Sequence, residues 1–539
     1  MREHLPALIV IIPLISSMII LLVGYFSCHL ARLVTVLITF VTHIAAVFLF
    51  IRVMREGTQH YHFGGWQPPW GIEFAVDPVS AALAVLITFL FFLVAVYNVP
   101  FLQQLSWAKN SAYLSLFFLL AAGLTGIVVT ADLFNVFVFM EISALSTYVL
   151  IAFSGGRSSL AAFRYLIIGT IGAKFYLLAV WYFYAITGTL NFFDLSVKIA
   201  PMMDSPPVLI ATTLLMTGLG IKMALFPMHG WIPDAYTYAP APVSAIISAV
   251  MTKVPAFVLF KLFYNIIGIR EGPVPYVLTV IGILATVGMI AGSVMALTQR
   301  EGKRMLAYSS VSQIGYIILG ISMGNMLGLV GGLLHILNHA VMKCCLFFIM
   351  GALKWRNNTD DLSQFNGLAT RMPITMAAFT VAALSMIGLP PTAGFFSKLY
   401  LIKGALDAGI WVYVLVIVVS SLFGAVYFFR IIENGYFGLF RSQENGLHEE
   451  MTGTHITTIQ KADNGNGGSK ELPGSEPSIV PPVPRYLYDG GKGFLRRELP
   501  VTMIIPIIVL AVIVLLSGFF NELIASRIIS PFSVWKELR

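Results

Sequence analysis

Runs of 18 or more apolar residues recur along almost the whole of this 539-residue chain. An aqueous fold cannot bury so many of them, and each is long enough to cross a bilayer as a helix of about 20 residues. Charged residues make up only 11% of the chain, about half the density that a soluble surface carries. Lipid is therefore the solvent for most of the sequence, and the expected fold class is an all-α polytopic membrane protein.

The apolar runs place spans at 5–25, 31–51, 74–97, 112–129, 132–152, 160–187, 208–226, 243–267, 274–297, 305–323, 329–350, 373–393, 408–432 and 501–519, about fourteen transmembrane helices. The first has weak basic flanking and no small-residue cleavage pattern, so it is expected to stay as a helix. No soluble domain is left over. The one long polar stretch, 441–500, holds GNGGS, PGSEP and VPPVP. Gly, Pro and Ser with mixed charge favour a polar linker, and its end, RYLYDGGKGFLRREL, also suits an interfacial amphipathic segment.

The net charge is +8, but Lys and Arg fall in short loops or singly in apolar segments, without the basic stripe of a nucleic-acid surface. With fourteen spans, Arg32, Lys109, Arg157, Arg300, Lys303, Arg304, Lys354, Arg356 and Arg371 share one face. Arg2, Arg52, Arg55, Lys198 and Arg270 share the other. The positive-inside rule makes the first face cytoplasmic and both termini extracytoplasmic. Cys28, Cys344 and Cys345 cannot form a disulfide framework and read as packing residues. The chain has no CxxC series, GxGxxG or GxxxxGK; no cofactor is expected in it, and electron or nucleotide chemistry would belong to partners.

Function is sought in the ionisable residues of the apolar segments. Glu141 lies inside DLFNVFVFMEISALSTYVL, where a lone carboxylate is costly and is normally paired or working; the bland alternative is a helix-end charge. Lys222, in LLMTGLGIKMALFPMHGW, and Lys253, in SAVMTKVPAFVLF, are its candidate partners, with snorkelling as the rival role for Lys222. Burial disfavours a charged ammonium and a nearby carboxylate favours it. A lysine whose counter-charge approaches and retreats is therefore a proton site that switches with geometry. Lys174, in IIGTIGAKFYLLAVWYFY, either pairs with Glu141 or sits at a subunit contact.

His335, His339 and Lys343 are spaced by four in GGLLHILNHAVMKCCLFFIM, which stacks them on one helix face at about 6 Å intervals. Histidine titrates near neutrality, so two in line with a lysine suit a proton wire. A zinc site is the rival, as is simple packing against polar neighbours. With no HExxH and no useful cysteine spacing, no metal site is expected. Lys398 follows Pro390, Pro391 and Gly394 in MIGLPPTAGFFSKLYLIKGAL. That cluster breaks the helix in mid-membrane, which is tolerated only against protein or a water-lined cavity, and broken helices build the ion sites of transporters. A plain kink beside an interfacial lysine is the alternative. A second break lies in FPMHGWIPDAYTYAPAPVSAIISA, at Pro227, Pro233, Pro240 and Pro242. His229 and Asp234 occupy it, either as solvated loop groups or as proton access. Two such breaks hint at two similar halves.

The segments ADLFNVFVFMEISALSTYVLIAF, GIKMALFPMHGWIPDAYTYAPAPVSAIISAVMTKV, LAYSSVSQIGYIILG, HILNHAVMKCCLFF and GLPPTAGFFSKLYL, in that order, resemble the antiporter-like subunits shared by respiratory complex I and multisubunit sodium/proton antiporters. In appearance the likeness is strongest to the D-type subunit of those antiporters, and it covers about residues 70–430. It implies about fourteen helices with two inverted five-helix repeats and a proton path in the plane of the membrane. It also implies that Glu141 is the helix-five carboxylate with Lys222 as its partner, Lys253 the central helix-eight lysine, His335 and His339 the histidine helix, and Lys398 the helix-twelve ionisable residue. Lys174 has no counterpart in that pattern; His229, Asp234 and Lys343 remain secondary candidates.

The resulting domain plan is N-terminal helices at 1–110, a first antiporter-like bundle at 111–267, a second at 268–440, the polar segment at 441–500, and a last span with its tail at 501–539. The resemblance implies work within an assembly in a prokaryotic inner or plasma membrane, beside other hydrophobic subunits and lipid. The first reading is a proton-translocating subunit of a cation/proton antiporter, with sodium as a possible co-ion. The second is the equivalent subunit of a redox-driven complex I-like or hydrogenase-like complex, whose redox arm carries iron-sulfur proteins.

Overall fold

A computed structural model of the chain describes residues 2–268, 274–357, 359–451 and 498–530. The helices in chain order are α1 Leu5–Phe26, α2 Cys28–Glu56, α3 Pro78–Tyr97, α4 Val99–Leu102, α5 Trp107–Val129, α6 Leu133–Ala152 and α7 Arg157–Thr187. Then come α8 Phe192–Ile199, α9 Pro206–Met223, α10 Ile232–Tyr238, α11 Ala241–Ile246, α12 Lys253–Lys261, α13 Val274–Leu297, α14 Gly302–Ser322 and α15 Met326–Asn357. The last are α16 Leu368–Arg371, α17 Pro373–Ile387, α18 Ala393–Asp407, α19 Trp411–Met451 and α20 Val501–Phe519. A π-helical turn, Ile247–Met251, joins α11 to α12, giving one apolar stretch, Ala241–Ile267.

Thirteen of the described helices are long and apolar enough to cross a membrane. A further crossing comes from α17 and α18, two half-helices of 15 residues each, separated at 388–392 where the sequence places its Pro-Pro break. Five crossings (α5, α6, α7, α9 and the joined α11–α12) precede five more (α13, α14, α15, the α17/α18 pair and α19). An odd number of crossings starts the second set on the opposite face from the first. The two sets are therefore inverted with respect to each other, and each contains one interrupted helix.

Small residues set the closest seams, as they do where lipid supplies no hydrophobic drive between helices. At the α7–α9 crossing a Cβ on Gly218 would stand 2.8 Å from the Gly172 carbonyl oxygen and 2.7 Å from the Tyr176 nitrogen, so the two backbones touch. The Ala241–Ile267 stretch is buried throughout, and α14 and α15 nearly so. These three form the centre, while apolar residues on α1, α2 and α7, such as Leu22 and Trp181, face outward.

Two local differences from the sequence reading concern polar segments. Residues 74–77, read as the start of the third span, instead form strand β2 Glu73–Val76 and the cap of α3; β2 pairs antiparallel with β1 Gln59–His62. Asp77 accepts from the Ser80 nitrogen at 2.8 Å and so begins α3 four residues later than hydropathy suggests. The polar segment expected at 441–500 begins as a continuation of α19 to Met451; residues 452–497 lie outside the described residues. At its far end the Glu498 carboxylate accepts from the Ile374 nitrogen at 2.7 Å and from Thr375 Oγ1 at 2.8 Å, satisfying donors at the start of α17.

Candidate functional site

The first break leaves carbonyls at the end of α9 that need donors. Ala224 turns into the left-handed region at φ 60°, the Leu225 nitrogen donates back to the Gly220 carbonyl at 2.8 Å, and Trp231 Nε1 donates to the Ile221 carbonyl at 3.0 Å. Lys222 sits in this last turn, 2% exposed, and its Nζ donates to Glu141 Oε1 on α6 at 3.0 Å. The structure thus selects Lys222 over Lys253 as the partner of Glu141. Glu141 is 26% exposed, so the pair is sealed on the lysine side and partly open on the carboxylate side.

Lys253 is fully buried at the start of α12, just past the π-helical turn. Its Nζ donates to the Ser248 carbonyl, and among the described residues no carboxylate pairs with it. Lys343 is likewise buried, donating to the Leu306 carbonyl at 2.7 Å and to Ser309 Oγ.

His335 and His339 are fully buried on α15 and stack with ring centroids 5.7 Å apart. His335 Nε2 lies 2.8 Å from Gln313 Oε1, an acceptor, so Nε2 carries a proton. Nδ1 lies 2.9 Å from Ser397 Oγ, which is also 3.1 Å from the Gly394 carbonyl. That serine has one hydroxyl proton for two acceptors, so its orientation and the protonation of Nδ1 are linked. Neither ring nitrogen of His339 has a protein partner among the described residues.

Lys398 caps the second break. Its Nζ donates to the Met386 carbonyl at 3.0 Å, to the Ile387 carbonyl at 2.9 Å and to Ser421 Oγ at 3.0 Å, and it stands 4.8 Å from the centre of the Tyr316 ring. The negative end of half-helix α17 takes the place of a carboxylate. Gly388, at φ 93°, makes this possible, since a Cβ there would lie 2.9 Å from Lys398 Cδ.

The secondary candidates divide. Asp234 is held between Arg164 at 2.5 Å and Arg304 at 3.7 Å. His229 is half-buried, its ring against that of Phe226 at 5.2 Å. Lys174 does not pair with Glu141; it is exposed on the outer side of α7, in a groove with Phe134, Trp181 and Tyr184. Among the described residues no group of three or more His, Cys, Asp or Glu side chains converges as metal ligands do.

Two further lysines are buried whose places in the sequence suggest exposure. Lys303 looks like a loop cation of the positive face, yet it is 1% exposed and donates to the Ala239 carbonyl at 2.9 Å and Ser244 Oγ at 3.1 Å. Lys261 looks like a helix-end charge, yet it is buried 3.8 Å from Asp77. Its spacing of eight from Lys253, two turns along one helix face, is the signal that was available.

A membrane bundle with two inverted halves, an interrupted helix in each, and buried lysines and histidines through its centre is the architecture of an ion-translocating subunit. The chain belongs to the membrane family described as NADH:quinone oxidoreductase/Mrp antiporter, TM, whose family model matches residues 130–424, and it is a proton-translocating, antiporter-like and complex I-like integral membrane subunit. It is 48% identical over 537 residues to the N-type subunit of NADH-quinone oxidoreductase from Desulforudis audaxviator, covering 99% of this chain and 100% of the relative. It is 30% identical over 407 residues to the D-type subunit of the Na(+)/H(+) antiporter from Alkalihalophilus pseudofirmus, covering 75% and 81%. Among solved structures, a chain of the membrane-bound sulfane sulfur reductase, an archaeal respiratory membrane complex, superposes with TM-score 0.82 at 27% identity over 98% of this chain and 97% of that one. A chain of the Mrp complex from Dietzia sp. DQ12-45-1b gives 0.81 at 26%, over 99% of each. These relatives stand in multisubunit membrane complexes, and this chain associates with other hydrophobic membrane subunits. From residue order the cation/proton antiporter is the first expectation and the redox-driven complex the second; the full-length match favours the redox-driven alternative.

Proposed function

We propose that the chain is the proton-translocating antiporter-like subunit of a redox-driven, complex I-like assembly. The full-length likeness to a quinone oxidoreductase subunit supports the choice of assembly. The observation that carries the mechanism is the set of ionisable groups buried in the bundle with the two interrupted helices: Lys222 with its partly exposed partner Glu141, Lys253, His339, His335 and Lys398. The electron chemistry, and any iron-sulfur proteins, belong to partner subunits.

Protons reach Lys222 through the first break, pass Lys253, cross the stacked histidines and arrive at Lys398. Lys222 keeps its proton while Glu141 is at 3.0 Å and releases it when the carboxylate withdraws. Ser397 and Gln313 orient His335 so that one nitrogen is protonated while the other exchanges. Lys398 keeps its charge against the carbonyl end of α17 and loses that support when the half-helix shifts. Moving one charge through 100 mV takes about 2.3 kcal/mol, the equivalent of a change of one to two pKa units, so small displacements suffice. We further propose that both termini are extracytoplasmic and that 111–267 and 268–440 are the two functional bundles.

Mass spectrometry of what co-purifies with a tagged copy from native membranes in mild detergent tests the assembly. Iron-sulfur subunits are the expected companions. Only small hydrophobic antiporter subunits would support the second reading, a cation/proton exchanger, which the likeness to the Mrp complex favours.

A further inference from the structure

A cavity of about 1080 Å³ opens beside the β-hairpin, away from the row of central residues, lined among others by His60, His62, Glu73, Asp77, Lys261 and Asn265. Its walls are the β1–β2 hairpin, the start of α3, the start of α8 and the turn after α12. Counting crossings puts all of these on one membrane face, opposite Asp234. Charged side chains cluster in part of the lining. Glu73 Oε1 is 2.6 Å from His60 Nδ1 and 3.5 Å from His62 Nε2, and its other oxygen accepts from Asn191 Nδ2 at 2.7 Å. Deeper in, Lys261 is buried between the Phe192 and Phe257 rings at 5.8 and 6.0 Å. Its Nζ donates to the Ala75 carbonyl at 3.3 Å, Ser80 Oγ at 3.4 Å and the Thr130 carbonyl at 3.4 Å, beside Asp77.

An ammonium buried in this way needs a reason, because a neutral side chain would fill the space more cheaply. Lys261 lies on the same helix as Lys253, two turns or about 12 Å along it, and faces a cavity large and polar enough to hold water. We propose that this cavity is the aqueous mouth of the proton path on the face opposite Asp234, with Lys261, backed by Asp77, as its innermost proton-exchanging group. The proposal rests on the proton-translocating reading of the central row. Lys261 Nζ, held as an ammonium beside Asp77, first gives a proton to the cavity water and is then reprotonated from the Lys253 side, or gives it to the Lys253 side and is reprotonated from the water; the Asp77 carboxylate offsets the charge, and the proton count is unchanged over the cycle. The other charged groups around the cavity are Glu73, His60 and His62 on the hairpin and Asp194 on α8.

Two measurements on the intact assembly in sealed membrane vesicles of known orientation test this. The first places a cysteine in the lining, Asn265→Cys, in a Cys28→Ser background, Cys344 and Cys345 being fully buried. A charged, membrane-impermeant thiol reagent is expected to modify it only from the face opposite Asp234 and to slow proton transport. No modification, or modification only from the Asp234 face, would overturn the mouth. The second is Lys261→Arg, which keeps the ion pair with Asp77 but holds its proton at any working pH. Assembly with loss of most coupled transport is expected; transport near that of the unmodified chain would make Lys261 structural and overturn its role. Lys222→Ala is measured alongside. Transport lost there but retained in Lys261→Arg removes only the mouth, whereas transport surviving in both removes the central row as well.

Discussion

Lys222 and Glu141, 81 positions apart in the chain, meet at 3.0 Å with the lysine 2% exposed and the carboxylate 26% exposed. The asymmetry has a physical consequence. Solvent or a neighbouring subunit can act on the carboxylate, while the lysine responds only through it. In the proposed mechanism the pair is a transducer, reading an event outside the bundle into the protonation of a group inside.

If so, Glu141→Ala and Lys222→Ala should each abolish coupled proton transport while leaving the chain in the membrane. Breaking a fully buried pair costs on the order of 3–5 kcal/mol, and less here because Glu141 is partly exposed; the bundle should survive. Immunoblots of membranes with dye-monitored proton transport check both halves, and normal transport in both variants would refute the assignment.

Gly388→Ala tests the second break without touching an ionisable group. At φ 93° an alanine is strained, by roughly 1–2 kcal/mol, and its Cβ would press on Lys398 Cδ from 2.9 Å. The lysine should be pushed off the Met386 and Ile387 carbonyls. Transport is expected to fall several-fold at unchanged membrane level. An unchanged rate would show that the carbonyl cap is dispensable.

His339 has two buried ring nitrogens without protein partners among the described residues, and buried polar atoms of this kind are normally satisfied by ordered water. A high-resolution density map of the assembly should therefore show water against at least one of them, in line with the His335 ring. A dry, fully apolar surrounding would break the proposed wire at this step.

Glu73 gives a pH test outside the membrane. Burial alone would push its carboxyl up, but hydrogen bonds from His60 and Asn191 and the charge of His60 and His62 hold it below the usual carboxylate range. A lowered pKa in the folded state means stabilisation that is present above the unfolded value, about 4.3, and is lost as pH falls through the folded value. Hydrogen-exchange protection of β1 should thus hold from neutral pH to about 5 and fall below about 4. In Glu73→Gln it should be weaker at neutral pH and show less of this acid step. Identical profiles would exclude the carboxylate as the hairpin's anchor.

The broad architecture was legible because lipid leaves few choices: each crossing needs its length of apolar residues, and each interruption needs the Pro and Gly residues that cause it. The breaks at Pro227 and at Pro390–Pro391, the ionisable residues Glu141, Lys222, Lys253, His335, His339 and Lys398, and the family all follow from residues read in order. Hydropathy misplaced the start of α3, because β2 is as apolar as a helix end and only pairing with β1 reveals it.

What residue order could not supply was direction. Whether a lysine on an apolar helix faces lipid, a carboxylate, a carbonyl or water depends on the rotation of that helix against its neighbours. That rotation is fixed by seams such as Gly172 against Gly218, which bring together residues far apart in the chain. Residue order was enough to dictate that this chain spans the membrane many times, breaks two of its helices and buries charge in its bundle. It took the packed bundle to give Lys222 to Glu141, set Lys398 on the end of α17, turn Lys174 outward and bury Lys261 beside Asp77, because the partner of a buried charge is chosen by packing.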